Sequence, residues 1–311
     1  MRRAALIAAS ALSLAGCNGA AIDGEEQVVL ASPAAAATPQ AAATLAAAEA
    51  AAVSTPTPAT SLDFRDLEGE RTQGGWIRGV AAPGATKITL GDAPVTIGDN
   101  GTFFAAFDRD AGDHAVLKAD FAGGQSITTK IDIAPRKWNI QHVNVAKRGG
   151  GSSEAWWKKR EPEWLAIKAA RAKVTGAQGW KQDFIWPVKG RISGHFGRQR
   201  IYRGEPGSYH SGLDIAPGNG VAFVAPADGV VVLARKGFSL EGTLLIIDHG
   251  AGLNSAFLHA SKLAVGEGEA VKQGQYIGNV GSTGRSTGPH LHWGLKWNDA
   301  RIDPLLLVGP Q

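Results

Sequence analysis

The run Gly288-Pro289-His290-Leu291-His292-Trp293-Gly294-Leu295-Lys296-Trp297 decides how the C-terminal part of this chain folds. A glycine-proline break precedes a short stretch of strand-forming residues, and no 3.6-residue helical period crosses it. Three upstream runs share that character: Gly229 to Leu233, Thr243 to Asp248 and Ser255 to His259. Glycine-rich segments separate them, as turns separate the strands of an all-β protein. Residues 184–311 therefore read as one all-β domain.

Residues 61–140 alternate in a similar way, in Lys87-Ile88-Thr89-Leu90, Val95-Thr96-Ile97 and Leu117-Lys118-Ala119-Asp120-Phe121. Turn signals fall between them at Pro83-Gly84, Asp99-Asn100-Gly101 and Gly123-Gly124, the spacing of a small β-sandwich. It shows no catalytic constellation, and His114 reads as a surface or edge histidine. A spacing or wall-binding role suits such a domain. Residues 141–183 form a basic connector with one helix, expected over Arg160 to Lys173. Pro162 suits its first turn, Trp164, Ile167, Ala170 and Val174 make an apolar stripe, and Gly176 closes it.

The first residues belong to neither domain. Met1-Arg2-Arg3 is a basic head and Ala4 to Gly16 an apolar run too short to span a bilayer, so residues 1–16 read as a signal peptide. Leu14-Ala15-Gly16-Cys17 resembles the lipobox of bacterial lipoproteins, which implies cleavage before Cys17 and acylation of that residue. Cys17 is the single cysteine of the chain and cannot form an internal disulfide. Asn18, where an aspartate would favour inner-membrane retention, points to the outer membrane, facing the periplasm. Residues 17–60 are rich in Ala and broken by Pro33, Pro39, Pro56 and Pro58, a composition that reads as a flexible tether.

The formal charge is +4, but it is unevenly placed. Residues 141–203 carry 14 Lys or Arg against 4 acidic side chains, whereas residues 204–311 carry 7 against 9. The positive field belongs to the connector, where it suits anionic wall or lipid groups. An exported chain does not have nucleic acid as its partner.

Six of the eight histidines lie after residue 183. His210-Ser211-Gly212-Leu213-Asp214 spaces a histidine and a carboxylate four apart, and His290-Leu291-His292 spaces two histidines two apart. Either pair shares one face of an extended strand. Two imidazoles and a carboxylate, with a fourth position for water, are what a catalytic zinc site uses. Each pair alone is also what a polar strand face or chance would give.

The longer text carries a resemblance. His210 to Pro217, Ala225-Pro226-Ala227-Asp228-Gly229-Val230-Val231, Asp248-His249-Gly250-Ala251-Gly252-Leu253, Phe257-Leu258-His259 and Gly281 to His292 together resemble the lysostaphin-like, or LytM-type, zinc metalloendopeptidases. The resemblance implies a small antiparallel β-barrel-like sheet with one zinc ion in a groove. It implies His210, Asp214 and His292 as the zinc ligands, and His259 and His290 as the catalytic histidines. It further implies hydrolysis of peptide cross-links in bacterial peptidoglycan, with stem peptides as substrate. Phe257 stands where many relatives have tyrosine, and Arg203-Gly204-Glu205-Pro206 where some have an asparagine-led loop, which touches substrate preference. Arg198, Arg200 and Arg285 are candidate partners for stem-peptide carboxylates, and His195 and His249 have no assigned role. The alternatives are a non-catalytic LytM-type activator of cell-wall amidases, a wall-binding module, and a lipoyl- or biotin-carrier-like domain. The last lacks a modifiable lysine in a characteristic hairpin.

Overall fold

The computed structural model describes residues 62–147 and 153–311. The signal peptide, Cys17 and the tether lie outside these residues. What is described falls in one compact unit, Thr57–Gln311.

The N-terminal strands form two antiparallel layers. Arg65–Glu70, Trp76–Val80 and Thr102–Ala106 make the first. Ala93–Val95, Ala85–Leu90, His114–Phe121 and Ser126–Asp132 make the second. Alternation turns Ile77, Phe103, Ile88, Leu117 and Ile131 into one core, each at most 2% exposed. This is the small sandwich expected from the pattern, except that the strand expected at Val95 to Ile97 lies earlier, at Ala93–Val95.

The C-terminal sheet holds the candidate site and its strands are numbered here. They are β1 (Arg191–Gly194), β2 (Leu213–Ala216), β3 (Gly229–Phe238), β4 (Gly242–Gly250), β5 (Leu253–Leu258), β6 (Ala270–Val271), β7 (Leu291–Trp297) and β8 (Ala300–Ile302). Their order is β6-β3-β4-β5-β7-β2-β1, all antiparallel, with β8 also on β7. The sheet is open at both ends rather than a closed barrel. One face sends Leu245, Ile247, Phe257, Leu291 and Trp293 into the main core, each fully buried. The other face carries Leu244, Ile246, Ala256, Leu258 and, in the same rows, His292 and Asp214.

Helix α1 (Glu154–Arg171) lies across part of that second face. It starts six residues before the expected Arg160, because Ser153 caps it by accepting from Trp156 N. Pro162 is therefore inside the helix and not in its first turn. The expected stripe was also misplaced. Ile167 and Ala170 pack on the sheet, but Trp164 is 46% exposed, and Val174 is past the helix end and 95% exposed. The seated line runs Arg160, Glu163, Ile167, Ala170, in steps of three and four residues, and its first half is ionic. Arg160 gives Nη1 and Nη2 to the two oxygens of Glu241, both at 2.7 Å, and Nη1 also reaches Glu163 at 2.9 Å. Glu163 in turn accepts from the backbone and hydroxyl of Ser239. Arg160→Ala would leave two carboxylates largely out of water without a cation, so unfolding free energy should drop by roughly 3 kcal/mol. A chemical-denaturation midpoint unchanged by this substitution would contradict that account.

The sandwich and the connector also brace the loop that leads to the candidate site. Ile140–Val143 pairs in parallel with Gln199–Tyr202. Arg109 donates to Gly197 O at 3.1 Å, and Trp138 packs edge-on against Phe196. Further along, Trp76 Nε1 donates to Leu306 O at 2.7 Å, and Arg136 pairs at 2.7 Å with Asp303, which is 1% exposed.

Candidate metal centre

Antiparallel pairing puts Gly194, Asp214, His292 and Leu258 in one cross-strand row over β1, β2, β7 and β5. Asp214 and His292 thus share the face that α1 leaves partly open. His210 is not on a strand with Asp214, as the spacing suggested. It ends the braced loop ahead of β2. Gly197 N donates to His210 O and His210 N to Arg198 O, both at 2.8 Å, which folds the loop back over the row.

Three donor atoms meet there. Asp214 Oδ1 is 3.0 Å from His210 Nε2 and 2.9 Å from His292 Nδ1, and the two nitrogens are 3.0 Å apart. Among the described residues these three form the group of His, Cys, Asp or Glu able to hold a metal ion. The donor chemistry fits a cation. His210 Nδ1 lies 3.0 Å from His195 O and donates to it, so Nε2 presents a lone pair. Lone pairs converging on one point repel unless a positive ion sits among them. Tetrahedral bonds of about 2.05 Å place donors about 3.3 Å apart, so zinc fits with a shift of about 0.3 Å. Burial works against the charge on Asp214, but the two imidazoles of His210 and His292 close to its carboxyl outweigh it and hold that group far below the usual range.

Two more imidazoles complete the cluster. His259 follows the last residue of β5, with a left-handed φ of +66°, and its ring centroid is 4.8 Å from that of His290. Its Nδ1 donates to Thr283 O at 2.8 Å, which leaves Nε2 as an acceptor. Burial, aided by the neighbouring imidazoles, pushes its pKa down and keeps the ring neutral. His290 precedes β7, bridging to Gly281, with Nδ1 donating to Gly288 O at 2.8 Å and Nε2 3.7 Å from Asp214 Oδ1. So all five residues singled out in the sequence come together, and both tautomers follow from hydrogen-bond geometry.

His249 stays outside this cluster. It is fully buried, bonded to Asp228 O at 2.7 Å and Ser255 Oγ at 2.8 Å, and burial pushes its pKa to about 4. His195 is exposed and contributes its carbonyl.

Several site-forming residues did not stand out in the sequence. Thr283 accepts from His259 and ties the Gly281 loop to Thr243 N at 2.8 Å. A side chain at Gly194 would put its Cβ 2.3 Å from Asp214 Oδ2, and one at Gly212 2.6 Å from His292 Nε2. A glycine in or beside a strand is the readable signal of such close approach.

Residues 208–304 match the profile of peptidase family M23. Over 116 residues the chain is 40% identical to "Peptidoglycan DD-endopeptidase ShyA" of Vibrio cholerae, covering 35% of this chain and 26% of that protein. It is 38% identical over 120 residues to "Murein hydrolase activator NlpD" of Salmonella typhimurium, covering 39% of this chain and 30% of that one. The chain thus spans under a third of either curated relative. A crystal structure of a putative peptidase M23 from Pseudomonas aeruginosa aligns at a TM-score of 0.59 and 26% identity, over 76% of this chain and 95% of that one. The likeness therefore extends beyond the matched domain into the sandwich and connector.

Proposed function

We propose, on the premise that residues 208–304 are a peptidase family M23 domain, that this protein is a zinc-dependent endopeptidase cutting peptide cross-links of bacterial peptidoglycan. The observation that carries the reading is the convergence of His210, Asp214 and His292 with two further imidazoles whose Nδ1 atoms are already spoken for. Zinc held by those three would polarise the scissile carbonyl and lower the pKa of a water toward about 7. His259 Nε2, a neutral acceptor, is suited to take a proton from the attacking water. His290 Nε2, facing the carboxylate of Asp214, is suited to carry a proton, steady the developing oxyanion and pass the proton to the leaving amine. Thr283 O and Gly288 O fix the two ring orientations, so little reorganisation is needed during the reaction.

The second reading is an activator of other wall hydrolases, favoured by one observation, the near-equal likeness to the relative named for that activity. Digestion of purified peptidoglycan by the metal-loaded protein separates the two. Release of cross-link-derived peptides, identified by mass and abolished by a chelator, is the expected result. Intact walls, with digestion appearing only when an amidase is added, would establish the activator instead.

Placement of the enzyme at the envelope rests on Cys17. We place the mature N-terminus there, acylated and held at the outer membrane facing the periplasm. The N-terminal peptide of the membrane-extracted protein should carry the mass of a lipidated cysteine. An unmodified thiol, or a different first residue, rules the anchor out.

A further inference from the structure

A cleft of about 140 Å³ opens beside His292, between α1 and the sheet face, with Ser211 and Leu258 at the same end. It has the room of about four or five waters, enough for a carboxyl group on a small residue. Its far wall is basic. Arg171 from α1, and Lys296 and Arg301 from the paired strands β7 and β8, all line it.

The positive charge there is incompletely answered by the protein. Glu241 also lines the cleft, but both its oxygens are taken by Arg160. Lys296 is paired with Asp299 at 2.8 Å. Arg301 stacks on Tyr209, 5.3 Å from the ring centroid, donates to its hydroxyl at 3.1 Å, and has Asp108 and Asp110 near enough to favour its charge, which leaves Arg171 as the less compensated of the two. Arg171 has a neutral partner, Asn254 Oδ1, and among the described residues no carboxylate pairs with it. The helix C-terminus, where Arg171 sits in the last turn, offsets only part of a full charge. Burial and the nearby Arg301 together push the Arg171 pKa down to about 10, so it stays charged while short of compensation. The arginines suggested by sequence are elsewhere. Arg200 is bonded to Gln141 at 2.9 Å, and neither it, Arg198 nor Arg285 lines this cleft.

We propose that Arg171 and Arg301 form a subsite for a free carboxylate of the peptide substrate, at the end of the cleft where Asn254 pairs with Lys296, four residues along β7 from His292. This deepens the endopeptidase reading and rests on it. Arg171 lies outside the matched family domain, so the connector helix would contribute directly to specificity.

Binding tests this without needing turnover. N-acetyl-D-alanyl-D-alanine and its C-terminal amide are titrated calorimetrically into the zinc-loaded full chain, beside inorganic phosphate. The wild-type protein should bind the acid at least about 10-fold more tightly than the amide, the worth of one charge-assisted hydrogen bond. In Arg171→Gln and Arg301→Gln, each checked for zinc content and melting temperature, that ratio should fall toward one. Equal wild-type affinities overturn the subsite, and no variant is needed to read them. A preference surviving in both folded variants overturns the assignment to these residues, and phosphate binding more tightly than the acid overturns the peptide carboxylate as ligand. A protein that shows the preference and releases nothing from peptidoglycan keeps the subsite and loses the endopeptidase reading.

Discussion

Replacing His210, Asp214 or His292 by alanine should empty the zinc site and take wall hydrolysis down to background. Each substitution removes one of three protein donors, and the remaining two are a much weaker site. Losing even a group that only orients a ligand typically lowers metal affinity 10–100-fold, so losing a ligand itself should exceed about 100-fold. Asp214 should be the most severe of the three. Its Oδ1 stands 2.9–3.0 Å from both imidazoles and supplies the only negative charge among the donors. Asp214→Asn keeps the shape and the row with Gly194 and His292 but removes that charge. Zinc per chain, measured by atomic emission after dialysis, reads the result directly. A His210→Ala protein still holding one zinc per chain would remove His210 from the ligand set.

The strands were legible in the sequence in two ways: His290–Trp297 alternates apolar and polar residues, and Thr243–Asp248 is a short unbroken apolar run, the mark of a strand buried on both faces. Spacing singled out only the pairs His210/Asp214 and His290/His292, whereas His259 and the division of roles came from the family resemblance. What escaped was placed by contacts between residues distant in the chain. His210 reaches the site through a loop held by Arg109 and Trp138, which lie 72–101 residues earlier and leave no local sign. The helix was sought by its apolar residues, whereas half its seat on the sheet is an Arg160–Glu163–Glu241 ion cluster. An apolar stripe search selects Trp164 and Val174 in such a case, and both turn out exposed.

These long-range contacts also give the N-terminal strands a function. The sandwich supplies Arg109 and the segment after it supplies Trp138, both set against the loop of His210. The Gly197 turn admits only glycine, since a Cβ there would lie 2.1 Å from the Trp138 ring. Helix α1 covers Val232, Leu244 and Ile246, which a fragment beginning at Phe184 would expose to water. The peptidase-like sheet and the elements before it are thus a single mechanical unit around the site.

The roles within the histidine set separate under substitution of the other two imidazoles. His259 and His290 stand next to the three donors but lie outside the metal-holding group. Their substitution should leave zinc in place and lower turnover by roughly 10²–10⁴-fold, the usual contribution of a positioned acid or base. For His290 the alanine variant suffices, because its backbone conformation is ordinary. His259 has a φ of +66°, a region that asparagine tolerates better than alanine. His259→Asn therefore removes the imidazole without adding backbone strain, and a stability change will not be mistaken for a catalytic one. Zinc content, melting temperature and the rate of wall digestion, taken together on each variant, settle the division. A His259→Asn protein with normal zinc, normal stability and an undiminished rate would reduce that histidine to a packing role. Loss of zinc from His290→Ala equal to that from His292→Ala would make His290 a fourth ligand. In that case the 3.7 Å between its Nε2 and Asp214 Oδ1 would mark a donor drawn toward the metal and not a proton carrier beside it.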